Sequence, residues 1–175
     1  MSIETIAVLG AGQMGSGIAQ IAAASGYKVI IRDIKQEFCD KGVNGIKAGL
    51  DKQVAKGKTT QEAADAIMAR ISTTVELEGV APADFVIEAA PEILSLKHDT
   101  FVQLGEICKP DAILCTNTSS MSIGEITKDC KNPERCIGMH FFFPVYAMKL
   151  VEMIRSCYTS DATVAAVREV AEKMG

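Results

Sequence analysis

Residues 3–15 read IETIAVLGAGQMG, an apolar run that ends at a cluster of three glycines. A short apolar run that stops at glycine predicts a buried strand. The following residues, Met14 to Ser25, predict a helix that is closed by Gly26, and residues 28–33 (KVIIRD) predict a second strand. Together these elements form one βαβ unit, the building block of a parallel sheet.

Strands and helices alternate along the rest of the sequence. A polar segment over 34–70 predicts two helices that are broken near Gly57. Further strands are predicted at 71–75, 84–88, 112–116, 136–140 and 150–154. Because strands that are apolar on both faces alternate with helices, we expect a doubly wound α/β domain with a mostly parallel sheet, formed by residues 1–175.

Capping signals predict where the helices begin. Thr59 and Glu62 have the spacing of a capping box for the second helix of the polar segment. Pro91 fits the first turn of the helix that follows the fourth strand. Ser160 or Asp161 fits the N-cap of a terminal helix.

Composition excludes several classes of protein. The chain of 175 residues has 18 Lys and Arg against 22 Asp and Glu, a net charge of −4, and it is 48% hydrophobic. A dedicated nucleic-acid-binding protein is disfavoured because the phosphate backbone selects a basic face. The N-terminus has no basic region and no apolar run reaches about 18 residues, so we expect neither export nor a membrane span.

The cysteines and histidines disfavour a metal site. The six cysteines include no Cys-x-x-Cys pair, and two histidines are too few to complete a zinc site. Several cysteines stand in apolar runs, as Cys115 does in AILC, where a thiol acts as a small hydrophobe. We therefore expect no metal, reduced thiols and a cytoplasmic protein.

The glycine cluster predicts a dinucleotide site. In the pattern G-x-G-x-x-G the first glycine makes a tight turn, the second lets a pyrophosphate approach the backbone, and the third allows the helix to pack on the strand. The start of the helix adds free N–H groups for the phosphates. The predicted contacts in this turn are Gly10, Gly12, Gln13, Met14 and Gly15.

Asp33 extends this prediction to the ribose of the dinucleotide. It ends the second predicted strand, 18 residues after Gly15. A carboxylate at this position accepts hydrogen bonds from the adenine ribose and disfavours a 2′-phosphate. The alternative is that Asp33 only caps the helix that follows.

Polar side chains at the ends of later strands are candidates for the chemistry. His140 ends one strand and Glu152 lies in the next, so a carboxylate could orient an imidazole that takes a proton. From spacing alone a buried histidine bonded to the backbone is favoured. Residues 117–120 (NTSS) offer hydroxyls to a substrate oxygen or, alternatively, form a turn that caps the next helix. His98 lies in a polar helical stretch and is expected to be solvated.

Four motifs then occur in order along the chain: GxGxMG at 10–15, PExxxxK at 91–97, NTSS at 117–120 and HFFxPVxxMKLVE at 140–152. Together they resemble the NAD-binding domain of the 3-hydroxyacyl-CoA dehydrogenases, including the bacterial 3-hydroxybutyryl-CoA enzymes. The resemblance runs from about Ile3 to Gly175. It implies a Rossmann fold, NAD as cofactor, and reversible oxidation of an (S)-3-hydroxyacyl-CoA to the 3-oxoacyl-CoA.

The resemblance also implies roles for single residues. His140 matches the general base for the 3-hydroxyl proton, and Glu152 matches its orienting carboxylate. Ser119 matches a serine that contacts the substrate oxygen near the nicotinamide. Glu92 and Lys97 match positions that line the cofactor pocket.

The segment after the second strand matches the part of the family that holds the phosphates of CoA. Lys52, Lys56 and Lys58 are the counterparts by position, in a loose alignment. The alternative for these lysines is a solvated face without a ligand.

This chain departs from the family in two places. Phe143 stands where the family motif His-Phe-Phe-Asn-Pro has asparagine. The family also continues into a helical C-terminal domain with the dimer interface, a wall of the acyl pocket and a further catalytic asparagine, whereas this chain ends at Gly175. We therefore expect an isolated cofactor domain that binds NAD, turns over little and forms a homodimer only through that missing domain.

Two other functions stay open. One is an NAD-binding module without turnover. The other is a Rossmann β-hydroxyacid dehydrogenase, which shares GxGxMG but uses a catalytic lysine from a helical domain and has no reason to carry the HFF motif followed by Glu152.

Overall fold

Seven strands form one sheet in the computed structural model, which describes residues 2–175. The strands are β1 (Thr5–Leu9), β2 (Lys28–Arg32), β3 (Ile71–Thr74), β4 (Phe85–Glu88), β5 (Ile113–Thr116), β6 (Cys136–Phe141) and β7 (Val151–Ile154). They lie in the order β3-β2-β1-β4-β5-β6-β7, with β7 antiparallel to β6 and all other pairs parallel. The predicted doubly wound, mostly parallel sheet is confirmed.

Six α-helices connect and cover the strands. They are α1 (Gln13–Ala24), α2 (Gln36–Ala55), α3 (Gln61–Met68), α4 (Leu94–Ile107), α5 (Ile123–Thr127) and α6 (Asp161–Lys173). Two 3₁₀ turns lie at Leu77–Val80 and Pro133–Arg135. The predicted break of the polar segment is confirmed: Gly57, between α2 and α3, has φ +65°, which glycine adopts without strain.

The sheet separates two hydrophobic cores because successive side chains of a strand point to opposite faces. In β1, Ile6 and Val8 join the core that includes residues of α1, α2, α3 and α6, whereas Ala7 and Leu9 join the core beneath α4 and α5. All four side chains are 0–2% exposed. A strand buried on both sides reads as an uninterrupted apolar run, which is why the first strand was recognisable in the sequence.

Two of the predicted helix starts are wrong. Pro91 does not open a helix: its carbonyl accepts a hydrogen bond from the N–H of Ile93, and α4 begins only at Leu94. Thr60, rather than Thr59, caps α3 and accepts from the N–H of Ala63 at 3.2 Å, so the predicted capping box does not form. The predicted cap at Ser160 is confirmed, since its hydroxyl accepts from the N–H of Thr163.

No helix in the described part of the chain, residues 2–175, has both the length and the apolar character needed to cross a membrane. Over the same residues no group of three or more His, Cys, Asp or Glu side chains could hold a metal ion. Five of the six cysteines are buried, and only Cys157 is exposed.

His98 joins α4 to the turn after α5. Its Nε2 lies 2.8 Å from Oδ2 of Asp129, and its Nδ1 lies 3.2 Å from Oδ1 of Asp99. The side chain is thus held between two exposed carboxylates and stays partly exposed, which is compatible with the expected surface position. The hydrogen bond to Asp129, followed by that to Asp99, raises the pKa of His98 above its ordinary value.

The raised pKa of His98 predicts a stability that depends on pH. A folded-state pKa above the unfolded value of about 6.5 stabilises the protein below that pH, and the contribution is lost as pH rises through the folded-state pKa. We expect His98→Gln to lower the melting temperature by about 1 to 3 °C at pH 6 and to have almost no effect at pH 9.

Thermal unfolding followed by circular dichroism at both pH values checks this prediction. Lys128→Gln is the matched control, because it breaks an exposed ion pair with Glu125 that contains no histidine. Equal losses at the two pH values in the His98 variant would contradict the proposed ionic role.

Candidate active site

The glycine turn between β1 and α1 lies at the edge of the sheet where the parallel strands end. Gly10 has φ +101°, and a β-carbon there would lie 2.6 Å from the carbonyl oxygen of Ala89. A β-carbon on Gly15 would overlap the carbonyl oxygen of Gly10. Gly12 differs, because nothing lies within 4 Å of the place where its β-carbon would be. The first and third glycines therefore serve packing, and the second leaves open space.

The start of α1 has the properties of an anion site. Gly12 is its N-cap, no side chain caps it, and no acidic residue stands in its first turn. Gly12 and Gln13 are exposed and Met14 is partly exposed. Free N–H groups and the positive end of the helix dipole thus face solvent beside the space at Gly12, which fits the pyrophosphate of a dinucleotide.

Asp33 follows β2 and contacts the glycine turn directly. Its Oδ2 accepts a hydrogen bond from the N–H of Ala11 at 2.7 Å, and its Oδ1 accepts from the N–H of Ile34 at 2.7 Å. The N-cap of α2 is Lys35, so the alternative that Asp33 caps this helix is wrong. The carboxylate instead lies beside the turn, where a ribose bound next to the pyrophosphate would be.

Glu92 holds the loop that follows β5. Its Oε2 accepts from the hydroxyl of Thr118 at 2.7 Å, and its Oε1 accepts from the N–H of Ser119 at 3.3 Å. The Ser119 residue is exposed. The cap of α5 is Ser122, whose hydroxyl accepts from the N–H of Glu125, so the capping alternative for residues 117–120 is not observed.

Lys97 lies in the first turn of α4 and points into the protein. It is 1% exposed, and its Nζ donates to Oε1 of Glu88 at 2.7 Å and to the carbonyl oxygen of Ala90 at 3.1 Å. The ammonium group is therefore held beneath the loop that carries Glu92. Its direct contact with a cofactor stays a prediction.

His140 and Glu152 face each other on the antiparallel pair β6 and β7. They are directly opposite in register, and Nδ1 of His140 lies 2.8 Å from Oε2 of Glu152. The partner of His140 is thus a carboxylate, so the preference for a histidine bonded only to the backbone is wrong. The ring of Phe142 packs at 4.6 Å, centroid to centroid, against the imidazole.

Asn117 connects the loop after β5 to the strand that carries His140. Its Oδ1 accepts a hydrogen bond from the N–H of Phe141 at 2.8 Å. Its own N–H donates to the carbonyl oxygen of Glu88 at 2.8 Å. Ser119 and His140 are therefore coupled through one asparagine whose role the sequence analysis did not foresee.

The three predicted CoA lysines lie at the far end of α2. Lys52, Lys56 and Lys58 are all exposed, and within residues 2–175 none of them forms a salt bridge. A β-carbon on Gly42 would lie 2.7 Å from the carbonyl oxygen of Ala11, so α2 passes the glycine turn there. At 1.5 Å per residue, Lys52 is about 15 Å farther along the helix.

A glutamate buried at the end of β4 was also missed by the sequence analysis. Glu88 is 0% exposed, and it ends the apolar segment Phe85–Glu88. A carboxylate inside an apolar strand needs partners, because an unpaired buried charge is strongly unfavourable. That rule was the available signal, although it does not identify the partner.

Known proteins match this chain over almost its whole length. A sequence profile of the family described as "3-hydroxyacyl-CoA dehydrogenase, NAD binding domain" matches residues 5–175. A probable 3-hydroxybutyryl-CoA dehydrogenase of Deinococcus radiodurans is 48% identical over 168 residues, 96% of this chain and 60% of the relative. One of Bacillus subtilis is 46% identical over 175 residues, 100% of this chain and 61% of the relative.

Solved structures agree with the sequence comparison. The crystal structure of a 3-hydroxybutyryl-CoA dehydrogenase from Escherichia coli K12 superposes with a TM-score of 0.98 at 41% identity, covering 100% of this chain and 37% of that one. The chain thus spans less than two thirds of the length of each of these relatives. The predictions of a Rossmann fold and of NAD as cofactor are confirmed. The chain belongs to the NAD-binding-domain family of the 3-hydroxyacyl-CoA dehydrogenases.

Proposed function

We propose that this chain provides the cofactor site and the proton-transfer residues for NAD-linked interconversion of an (S)-3-hydroxyacyl-CoA and the 3-oxoacyl-CoA. The observation that carries the proposal is the 2.8 Å contact between His140 and Glu152 at the same edge of the sheet as the glycine turn. Oxidation of an alcohol to a ketone transfers a hydride from its carbon to the dinucleotide and a proton from its oxygen to a base, so a base is needed beside the dinucleotide.

His140 is the proposed base. With Nδ1 held by Glu152, the other ring nitrogen, Nε2, is the atom that takes the 3-hydroxyl proton. The carboxylate keeps the ring in one orientation and stabilises the imidazolium that forms, as in other catalytic pairs of histidine and carboxylate. In the reverse direction the imidazolium returns the proton to the 3-oxo group.

Ser119 is proposed to hold the substrate oxygen. Its backbone is fixed by Glu92, while the residue itself is exposed at the edge of the sheet. Phe143, which replaces an amide in the family motif, is 58% exposed three residues after His140. The loss of that amide is proposed to change either the positioning of the cofactor or the choice of acyl group.

The proposed dinucleotide contacts are those of the glycine turn with Asp33, Glu92 and Ser119, and Lys97 is proposed to line the pocket from beneath the loop that carries Glu92. NAD, when bound, accepts the hydride from C3 of the substrate. The N–H groups at the start of α1 bind its pyrophosphate, and Asp33 accepts from the hydroxyls of its adenine ribose. No acidic residue in the first turn of α1 opposes the phosphates.

The proposal that this chain binds the CoA part of the substrate rests on the lysines at the end of α2. Lys52, Lys56 and Lys58 are all exposed, so they would be free to bind the phosphates of CoA. These ammonium groups act through charge, and they are solvated in the absence of the ligand.

The proposal also includes a cytoplasmic location, no affinity for nucleic acid, and a homodimer formed through the part of the relatives that this chain does not cover. The net charge of −4 supports the second point. The competing function is an NAD-binding module without turnover. It would bind NADH and leave acetoacetyl-CoA unreduced even when joined to the remaining part of a curated relative.

The first prediction concerns cofactor choice. The Asp33 carboxylate repels a 2′-phosphate in a partly buried site, so NADPH is expected to bind at least about tenfold more weakly than NADH. Asp33→Asn keeps an acceptor for the N–H of Ala11, removes the charge and should narrow this difference. Fluorescence titration with both nucleotides measures it, and equal affinities for the original chain would contradict the role of Asp33.

The second prediction concerns the base. In a fusion of this chain to the remaining part of a curated relative, His140→Gln should lower kcat for acetoacetyl-CoA reduction by about 10²- to 10⁴-fold. Glu152→Gln should lower kcat as well, and both variants should bind NADH normally. Glu125→Gln, an exposed glutamate in α5, is the control. Unchanged kcat in the His140 variant would exclude it as the base.

The third prediction concerns CoA. Replacing Lys52, Lys56 and Lys58 by alanine in the same fusion should raise KM for acetoacetyl-CoA by about threefold to tenfold at low salt, with kcat nearly unchanged. The difference should shrink at high salt and vanish for a short pantetheine thioester. Lys131→Ala, at an exposed lysine in the segment between α5 and β6, is the control. A KM that changes neither with the substitutions nor with the salt concentration would contradict the proposal and show that these lysines form a solvated surface without a ligand.

A further inference from the structure

One buried carboxylate lies between the two loops of the proposed site. Glu88 ends β4 at 0% exposure, and each of its oxygens accepts a hydrogen bond from a different part of the edge. Oε1 accepts from the N–H of Ala90 at 2.6 Å and from Nζ of Lys97 at 2.7 Å. Oε2 accepts from the hydroxyl of Thr116 at 2.7 Å.

The ion pair holds both polar groups of Ala90. While Glu88 binds its N–H, Lys97 binds its carbonyl oxygen at 3.1 Å. Ala90 thus has no freedom to turn its peptide groups without breaking a charged hydrogen bond, and such bonds are about twice as strong as neutral ones. Glu88 and Lys97 thus fix the loop from Ala90 to Glu92 on its buried side.

The second oxygen of Glu88 reaches the other loop. Thr116 is the last residue of β5 and is 0% exposed, and its hydroxyl also lies 3.4 Å from the N–H of Thr118. Thr118 in turn accepts from the N–H of Met121 and donates to Glu92. A continuous chain of hydrogen bonds therefore runs from Glu88 through Thr116 to the loop that carries Ser119.

The glycine turn lies against the same segment. The carbonyl oxygen of Ala89 would be 2.6 Å from a β-carbon on Gly10, and the N–H of Ala89 donates to the carbonyl oxygen of Leu9 at 2.7 Å. Any movement of residues 89–90 would therefore change the turn at Gly10 as well.

We propose that Glu88 is a positioning residue: paired with Lys97, it sets the relative position of the two loops that carry Glu92 and Ser119. This rests on the proposed function only in that those loops line the dinucleotide pocket. Glu88 itself reaches no ligand, because it is fully buried and its carboxylate is occupied by three donors. Its effect on binding is transmitted through Ala90 and Thr116.

Amide hydrogen exchange of the chain without any ligand tests this role. Thr116→Val removes one hydroxyl at nearly constant volume, and it should speed exchange at Thr118 and Met121 by about tenfold or more while Ala90 stays protected. The double variant Glu88→Gln with Lys97→Met removes both charges together, a change that proteins often tolerate at a buried ion pair. It should speed amide exchange at Ala90 as well as at Thr118 and Met121. Thr163→Val is the control, a buried threonine at the opposite edge of the sheet.

The pattern of exchange separates positioning from general stability. Faster exchange confined to residues 117–121 in Thr116→Val, and extended to Ala90 in the double variant, with Val8 and Ile31 still protected in both, supports the proposal. Faster exchange that spreads equally over β1 and β2, or unchanged exchange in both loops, overturns it. If the double variant does not fold, Thr116→Val alone gives the decision.

Titration with NADH completes the test. Thr116→Val leaves Lys97 in place, so a fall in NADH affinity of about threefold to tenfold cannot come from a lost contact with that lysine. Faster amide exchange in the loops together with an unchanged NADH affinity would overturn the positioning role. If the unmodified chain fails to bind NADH, the proposed function fails, while the exchange measurements still decide the role of Glu88.

Discussion

The contact of Gly15 with the carbonyl group of Gly10 is the constraint on which the rest of this domain depends. A β-carbon on Gly15 would overlap that oxygen, so only glycine lets α1 leave β1 this closely. Because α1 is close, its N-terminus opens beside Gly12, and β2 returns so that Asp33 meets the N–H of Ala11. The proposed phosphate and ribose positions therefore both depend on the close approach of α1 to β1.

The site has two halves that are built on different principles. The proposed dinucleotide half uses backbone groups at a helix start for the phosphates, so its phosphate contacts depend little on side chains. The proposed proton-transfer half uses side chains on β6 and β7, where antiparallel register places His140 opposite Glu152. Asn117 and Glu88 join the halves, since both bond to the ends of neighbouring strands.

Most of the sheet could be predicted from sequence because buried parallel strands are local apolar runs. The dinucleotide turn was predictable for a similar reason, as its glycines are adjacent to the strand that they end. Pro91 was misassigned because local helix preference was overridden by the loop that Glu88 and Lys97 hold. The pairing of His140 with Glu152 depends on strand register, so spacing alone made it a candidate but favoured a histidine bonded to the backbone, and the resemblance reversed that preference.

The hydrogen bond from the N–H of Ala11 to Asp33 limits how this domain can be engineered. A change of preference to NADPH would require removal of the acidic residue that follows β2, to make room for a phosphate. Here alanine or glycine at position 33 would also take away the acceptor of a partly buried amide in the glycine turn, an unmet bond worth about 1–3 kcal/mol. A redesign has to supply a replacement acceptor, so charge and turn geometry must be changed together.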